Sequence, residues 1–259
     1  MKIQLQDPEI EFDECEPIDI SIPLRFDGPQ PNAYGVETAS SRACEYGALV
    51  GDTRRGGSCN FEQITFIPHC NGTHTECVGH ITNDRISVRD CLREVFIPAV
   101  LISVEPACRA ESNDLVITRE LLEWGVTDVD ARVPTALIIR TLPNDESKLT
   151  REYGEQALPP YFDTDSMHYI VESGFQHLLV DLPSIDRLYD EGKLINHRIF
   201  WNVEIGRFNT DADTRKNSTI TELIYVPNDV IDGEYLLNLQ IAPFASDASP
   251  SRPIIFRLK

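Results

Sequence analysis

The chain is predicted to be a strand-rich α/β domain, and three observations carry that expectation. Segments of strand patterning outnumber helical ones, each of the two helical segments precedes a strand, and no linker-like stretch divides the 259 residues. A single domain over residues 1–259, with 1–17 as an N-terminal extension, is the expected organisation, with an α+β arrangement as the alternative. Residues 18–24 (Ile-Asp-Ile-Ser-Ile-Pro-Leu) alternate apolar and polar positions and form the first strand. Residues 27–60, rich in Gly, Pro, Asn, Ser and Arg, are expected to be a long ordered loop of the kind that serves a site. Residues 61–68 alternate again and should form a strand that ends at Pro68.

The apolar run 95–104 is a buried strand whose proline sits near its start, where a missing donor is tolerable. Residues 117–125 form a short helix with Thr118 as cap and Gly125 as stop. Residues 135–141 are a second interior strand. Residues 163–174 form the second helix, with an acidic start and a glycine stop, and lead into a strand at 177–181. Strands at 222–226, 235–241 and 253–258 complete the pattern.

Composition narrows the partners. There are 42 acidic against 23 basic residues, a formal charge of −19, and no basic cluster beyond Arg54 and Arg55. A nucleic-acid backbone or an anionic membrane is therefore excluded as an expected partner. No apolar run reaches membrane-spanning length, and the first eight residues lack the apolar core of a signal peptide. The seven cysteines are odd in number and confined to the first 108 residues, so they are expected as reduced thiols of a cytoplasmic protein.

The chemistry concentrates in residues 68–80, Pro-His-Cys-Asn-Gly-Thr-His-Thr-Glu-Cys-Val-Gly-His. Three of the six histidines fall there with Cys70, Cys77 and Glu76. Alternate residues of an extended segment face one side, so Cys70, His74 and Glu76 are expected to converge on one ion, leaving His80 as a base beside a bound water. His69 competes with Cys70, because neighbours on a strand face opposite ways and only one should bind; register favours Cys70. Cys77 has the wrong phase and is expected to be a small buried residue. Asp181, Ser184 and Asp186 are expected to fix a turn, and Arg54 and Arg55 to be a solvated pair.

Gly72-Thr73-His74, the carboxylate two residues on, and His80 resemble the signature His-x-Gly-Thr-His-x-Asp-x-Pro-x-His of the cyclase family of metal-dependent hydrolases, which includes bacterial kynurenine formamidase (arylformamidase) and isatin hydrolase. Residues 18–24, 116–123 with 136–141, 180–186 and 249–253 resemble further family segments in family order. The resemblance implies a swivelling β/β/α fold. It also implies metal ligands at Cys70, His74, Glu76, His197 and Glu222, and a general acid/base at His80. Cysteine stands where the family has histidine, glutamate where it has aspartate, and Val78 where it often has proline. The stretch 209–218 should loop out between His197 and Glu222. A thiolate ligand favours zinc, as one or two ions, over manganese.

The implied activity is hydrolysis of a small amide, most specifically an N-formyl aryl amine such as N-formylkynurenine, which belongs to tryptophan catabolism. Tyr34, Phe61, Tyr161 and Trp201 are available to wall an aryl pocket, although ordinary core packing is the better reading of each. A ring-opening hydrolase of a cyclic amide, imide or lactone is the alternative, as is a metal-binding family member with little turnover. A structural zinc closed by four ligands fits less well, because His80 lies beyond the ligand set. A homodimer or larger homo-oligomer is implied by the resemblance alone.

Overall fold

The computed structural model describes residues 2–4, 9–129 and 135–259. Its centre is a nine-stranded sheet built from β1 (Ile18–Asp19), β2 (His74–Glu76), β3 (Ile97–Val104), β4 (Ala136–Thr141), β5 (His177–Val180), β6 (Thr219–Glu222), β7 (Gly233–Asn238), β8 (Ala248–Pro250) and β9 (Ile254–Arg257). The spatial order is β8-β2-β6-β5-β4-β3-β7-β9-β1. The four inner strands β6, β5, β4 and β3 run parallel, and antiparallel strands extend the sheet on both sides.

The inner strands are near-continuous apolar runs because both of their faces are covered. Leu137 and Ile139 of β4 face one core with Ile102, Leu178, Val180 and Ile220, while Ile138 faces the other with Leu101, Leu179, Leu237 and Ile255. Four helices are present among the described residues: α1 (Val88–Cys91), α2 (Arg119–Val129), α3 (Thr164–Glu172) and α4 (Ile195–Trp201). Leu122, Met167, Ile170, Phe200 and Trp201 bring α2, α3 and α4 onto the first of these faces. The chain is thus strand-rich α/β, as the patterning predicts.

Several elements differ from the expectation. Gly125 does not end α2; it lies inside the helix, where a Cβ would come within 3.2 Å of Ile102 Cδ1, so the glycine serves close helix–sheet packing. Residues 27–60 are not all loop. Ser40–Ala43 pairs with Glu62–Thr65, and Glu45–Tyr46 with Leu49–Val50. The predicted strand at 61–68 is therefore an exposed ribbon strand and not part of the central sheet. The strand expected to begin at Glu222 instead ends there, with Leu223 turning out in a left-handed conformation (φ 55°). Helix α4 was not predicted at all. The N-terminal extension 1–17 lies partly outside the described residues. Within the described part, Phe12 is buried against Phe96 and Phe256.

Candidate metal centre

Strand β2 lies between β6 and β8, and its register builds the site. His74 pairs with Glu222 and Glu76 with Ile220 on one side, while Ala248 pairs with Glu76 on the other. Residues directly opposite share a face, and so do residues two apart. His74, Glu76 and Glu222 therefore point together, while Thr75 and Thr221 join their hydroxyls (2.8 Å) on the reverse face. One donor atom from each of the three lies within 4.8 Å of the others, and all three residues are buried.

Helix α4 adds His197 from the other side. Its Nε2 is 3.0 Å from Glu76 Oε1 and 3.8 Å from Glu222 Oε1. Asp186 holds this imidazole: its Oδ2 accepts from His197 Nδ1 at 2.6 Å, and the carboxylate also accepts from the backbone N–H of Asn196 and His197. Asp186 thus satisfies orphan donors in the first turn of α4 while orienting the histidine. This goes beyond the turn-fixing role expected for it. Ser184 accepts from the Asp186 N–H, and Asp181 is a structural partner of Lys148.

His74 carries the sharpest indication of what the centre holds. Its Nδ1 is 3.1 Å from the Gly72 carbonyl, which can only accept, so Nδ1 bears the proton. In the neutral ring its buried Nε2 then presents a lone pair; it has no hydrogen-bond partner and lies 3.4 Å from Glu222 Oε2. A lone pair facing two buried carboxylates is repulsive unless a cation sits among them. His74, Glu76 and Glu222 together fit a divalent metal ion, and His197 stands beside that group, 3.0 Å from Glu76.

Without such an ion, protons take its place. Burial would raise Glu76, but His80, His197 and His69 outweigh it and hold this carboxyl below the usual carboxylate range. Burial would likewise lower His197, but Asp186 and Glu76 carry it well above the ordinary imidazole value.

Residues 68–73 form turns and bends, not a strand, so the alternation invoked for Cys70 does not operate there. The N–H groups of Cys70 and Asn71 both donate to the Ile67 carbonyl. Cys70 lines the pocket but belongs to neither of the two groups of converging donors, His74 with Glu76 and Glu222 or His69 with Glu76 and His80, and burial followed by the Glu222 charge pushes its thiol up to about 11. His69 Nε2 instead lies 3.6 Å from Glu76 Oε2. His80, on the single-turn helix Val78–Ile81, is about a quarter exposed, with Nδ1 3.9 Å from Glu76 Oε2. All the expected site residues except the deeply buried His74 line one pocket of about 630 Å³.

Asp247, to which no role was assigned from sequence, meets both His69 (2.9 Å) and His80 (3.6 Å). His69 and His80 together hold its carboxyl far below the usual range. No spacing signals this residue; only the pairing of β8 with β2 brings it in. Of the four aromatics considered, Tyr34 lines the pocket, while Trp201 is buried behind His197, with ring centroids 5.5 Å apart. Tyr161 bonds Asp114, and Phe61 sits beside the exposed ribbon. Tyr189 and Leu188 are wall residues that sequence reasoning missed. Arg54 and Arg55 pair with Asp52 and Glu45 at the surface, as expected.

The chain is 26% identical over 245 residues to kynurenine formamidase of Bacillus mycoides (strain KBAB4), covering 92% of this chain and 96% of that one. The same figures hold for the kynurenine formamidase of Bacillus anthracis. Among solved structures, isatin hydrolase A from Labrenzia aggregata superposes with a TM-score of 0.63 at 16% identity, covering 94% of each chain. An isatin hydrolase bound to thioisatinate gives 0.61 at 15%, covering 94% of this chain and 93% of that one. The cyclase family model ("Putative cyclase") matches residues 18–187, well over half of the chain; the protein belongs to the cyclase family.

Proposed function

We propose that the protein is a metal-dependent amidohydrolase of arylformamidase type, cleaving an N-formyl aryl amine of the N-formylkynurenine class. The observation that carries this reading is the unpartnered Nε2 of His74 facing Glu222, with Glu76 and His197 completing the set at the floor of an open pocket. His74, His197, Glu76 and Glu222 would hold the ion, with Asp186 keeping His197 in its ligating tautomer. A divalent cation there supplies Lewis acidity to a water and to a carbonyl oxygen.

The chain's own groups do the rest. His80 faces the pocket and takes the proton that the attacking water loses. Water adds to the formyl carbon, the C–N bond breaks, and His80 returns the proton to the leaving nitrogen, giving formate and an aryl amine. Tyr34 and Tyr189 meet edge to face at 6.4 Å and, with Leu188, offer an apolar wall to the aryl ring.

Zinc was expected because of a Cys70 ligand. The nitrogen and oxygen donors brought together here suit zinc and manganese alike. The ring-opening reading is favoured by one observation, the structural likeness to isatin hydrolases over nearly the whole chain. A cytoplasmic, single-domain homo-oligomer completes the proposal. Exposed Tyr46, Leu49, Phe61 and Ile64 in and beside the ribbon segments support the oligomer. No described helix is long and apolar enough to cross a membrane.

A substrate panel tests the reading. Zinc- or manganese-loaded protein should release formate from N-formylkynurenine or N-formylanilide faster than it opens isatin, a cyclic imide or a lactone. Preference for a ring substrate would establish the alternative, and no turnover of any panel member would end the hydrolase assignment.

A further inference from the structure

A histidine base works only if the ring nitrogen facing the substrate is the one without the proton. The carboxylate contacts of His80 run from Nδ1, 3.6 Å to Asp247 Oδ2 and 3.9 Å to Glu76 Oε2. A carboxylate only accepts, so Nδ1 carries the proton of the neutral ring and Nε2 presents the lone pair. Glu76 also meets His197 Nε2 at 3.0 Å and belongs to the donor group with His74 and Glu222. Asp247 stands outside that group, which leaves it as the carboxylate available to His80.

Asp247 arrives with its two oxygens divided. Oδ1 accepts from the Ser246 hydroxyl at 3.2 Å, while Oδ2 turns to His80 and to His69 Nε2 at 2.9 Å. The His69 ring stacks on that of His80 with centroids 4.5 Å apart and fixes its plane. Backbone bonds hold the segment before β8 in place. The Asp247 carbonyl accepts from the Cys77 N–H at 3.0 Å, and the Ser246 carbonyl from the Val88 N–H at 2.9 Å. The aspartate is thereby tied to the chain on both sides of His80. Gly79 permits the approach: a Cβ there would lie 3.1 Å from Asp247 Cβ and 2.2 Å from the Ile86 carbonyl oxygen. At 3.6 Å the contact with His80 is looser than a hydrogen bond, and contacts of this kind tighten when substrate binds.

We propose that Asp247 is a positioning residue for His80, keeping the ring proton on Nδ1 and turning Nε2 to the substrate. The inference rests on the reading of His80 as the acid and base of amide cleavage. Nε2 takes the proton of the attacking water as its oxygen bonds the formyl carbon. When the C–N bond breaks, the electron pair leaves on nitrogen and the Nε2 proton follows it. His80 ends neutral, with its Nδ1 proton in place. The carboxylate at Nδ1 stabilises the imidazolium formed in between, as an aspartate does beside the histidine base of serine proteases.

Zinc-loaded wild type and Asp247→Asn are compared on two substrates. The leaving nitrogen of N-formylanilide needs a proton, whereas the phenolate of para-nitrophenyl formate departs without one. The variant should lose about 10²-fold in kcat on the anilide, with KM held within about twofold, and at least about tenfold less than that on the ester. Equal losses on both substrates, or none on the anilide, would overturn the inference. Nitrogen NMR of the imidazoles gives a readout free of turnover, with the His80 signals identified by their loss in His80→Gln. Wild type should show a protonated Nδ1 and a bare Nε2, and Asp247→Asn should shift the proton toward Nε2. A proton on Nε2 in wild type, or an unchanged ring in the variant, would overturn it as well. If wild type turns over neither substrate, the hydrolase reading fails, while the spectra still decide whether Asp247 sets the ring.

Discussion

Asp186 grips His197 twice, accepting a hydrogen bond of 2.6 Å from the ring nitrogen Nδ1 and a longer one from the same residue's backbone N–H. One carboxylate thereby starts helix α4 and aims its histidine at Glu76. Replacing Asp186 by Asn keeps the shape but lets the side-chain amide present a donor to Nδ1, which favours the wrong tautomer. Such outer partners are worth roughly 10–100-fold in metal affinity. Asp186→Asn should weaken binding of zinc by that factor, as read by competition against a chromogenic chelator; unchanged affinity would leave the carboxylate a helix cap only.

His80→Gln removes the proposed base without removing any of the four proposed metal donors. Loss of general acid–base catalysis costs about 10²–10⁴-fold in rate. The variant should lose that much in kcat for an N-formyl aryl amine while retaining one tightly bound ion by elemental analysis. Loss of that ion would instead make His80 one of its ligands.

Cys70→Ser should leave the ion in place within about twofold in affinity. The thiol lies outside both donor clusters, and burial with the Glu222 charge disfavours the thiolate needed for ligation. A clear loss of zinc in this variant would restore the cysteine as a ligand.

These residues show how far the sequence could be read. His74, Glu76 and His80 were legible because a short extended segment and the turn after it keep their donors local. Glu222 and His197 were identified only through the family resemblance. The register between β2 and β6 is a long-range fact, and α4 has no capping side chain of its own, with Leu194 at its N-cap and seven residues rich in bulky side chains. Its cap, Asp186, stands nine residues before the helix starts. Asp247 was invisible for the same reason, since it joins His80 only through the pairing of β8 with β2. Strand alternation, which favours Cys70 over His69, does not apply to them because their segment folds as a turn. The inner strands were legible because burial on both faces demands unbroken apolar runs, as in Ala136–Thr141.

His177 should set part of the acid limb of stability. Burial pushes it down to about 4, against the pull of Glu94, and its Nδ1 meets Thr219 Oγ1 at 2.9 Å. In the unfolded chain it titrates near 6.5, so the unfolded state binds the extra proton first. Its neutral, buried form contributes fully above about 6.5, and that contribution is lost as pH falls toward 4. The loss amounts to about 2–3 kcal/mol. Urea unfolding at pH 7.5, 6 and 4.5 should show this slope in wild type and a flatter one in His177→Asn; equal slopes would remove His177 from the acid limb.

Lys148 and Asp181 form a buried pair at 2.8 Å, with the lysine ammonium also donating to Thr141 and Asn144. Removing one partner of such a pair strands the other charge, at a cost of ~3–5 kcal/mol. Lys148→Met should lower unfolding stability by that order, and the double variant with Asp181→Leu should recover part of it. A Lys148→Met protein as stable as wild type would show that the pair contributes nothing to the fold.

The most direct measurement of the central claim tracks formate release from N-formylkynurenine as zinc or manganese is added back to chelator-stripped protein. Activity should be absent at the start and rise in proportion to the first equivalent bound per chain. In a Glu222→Gln, His74→Ala double variant it should stay absent at every metal level. Full activity in stripped protein, or in that double variant, would contradict a metal ion held by His74, Glu76, His197 and Glu222 as the source of the chemistry.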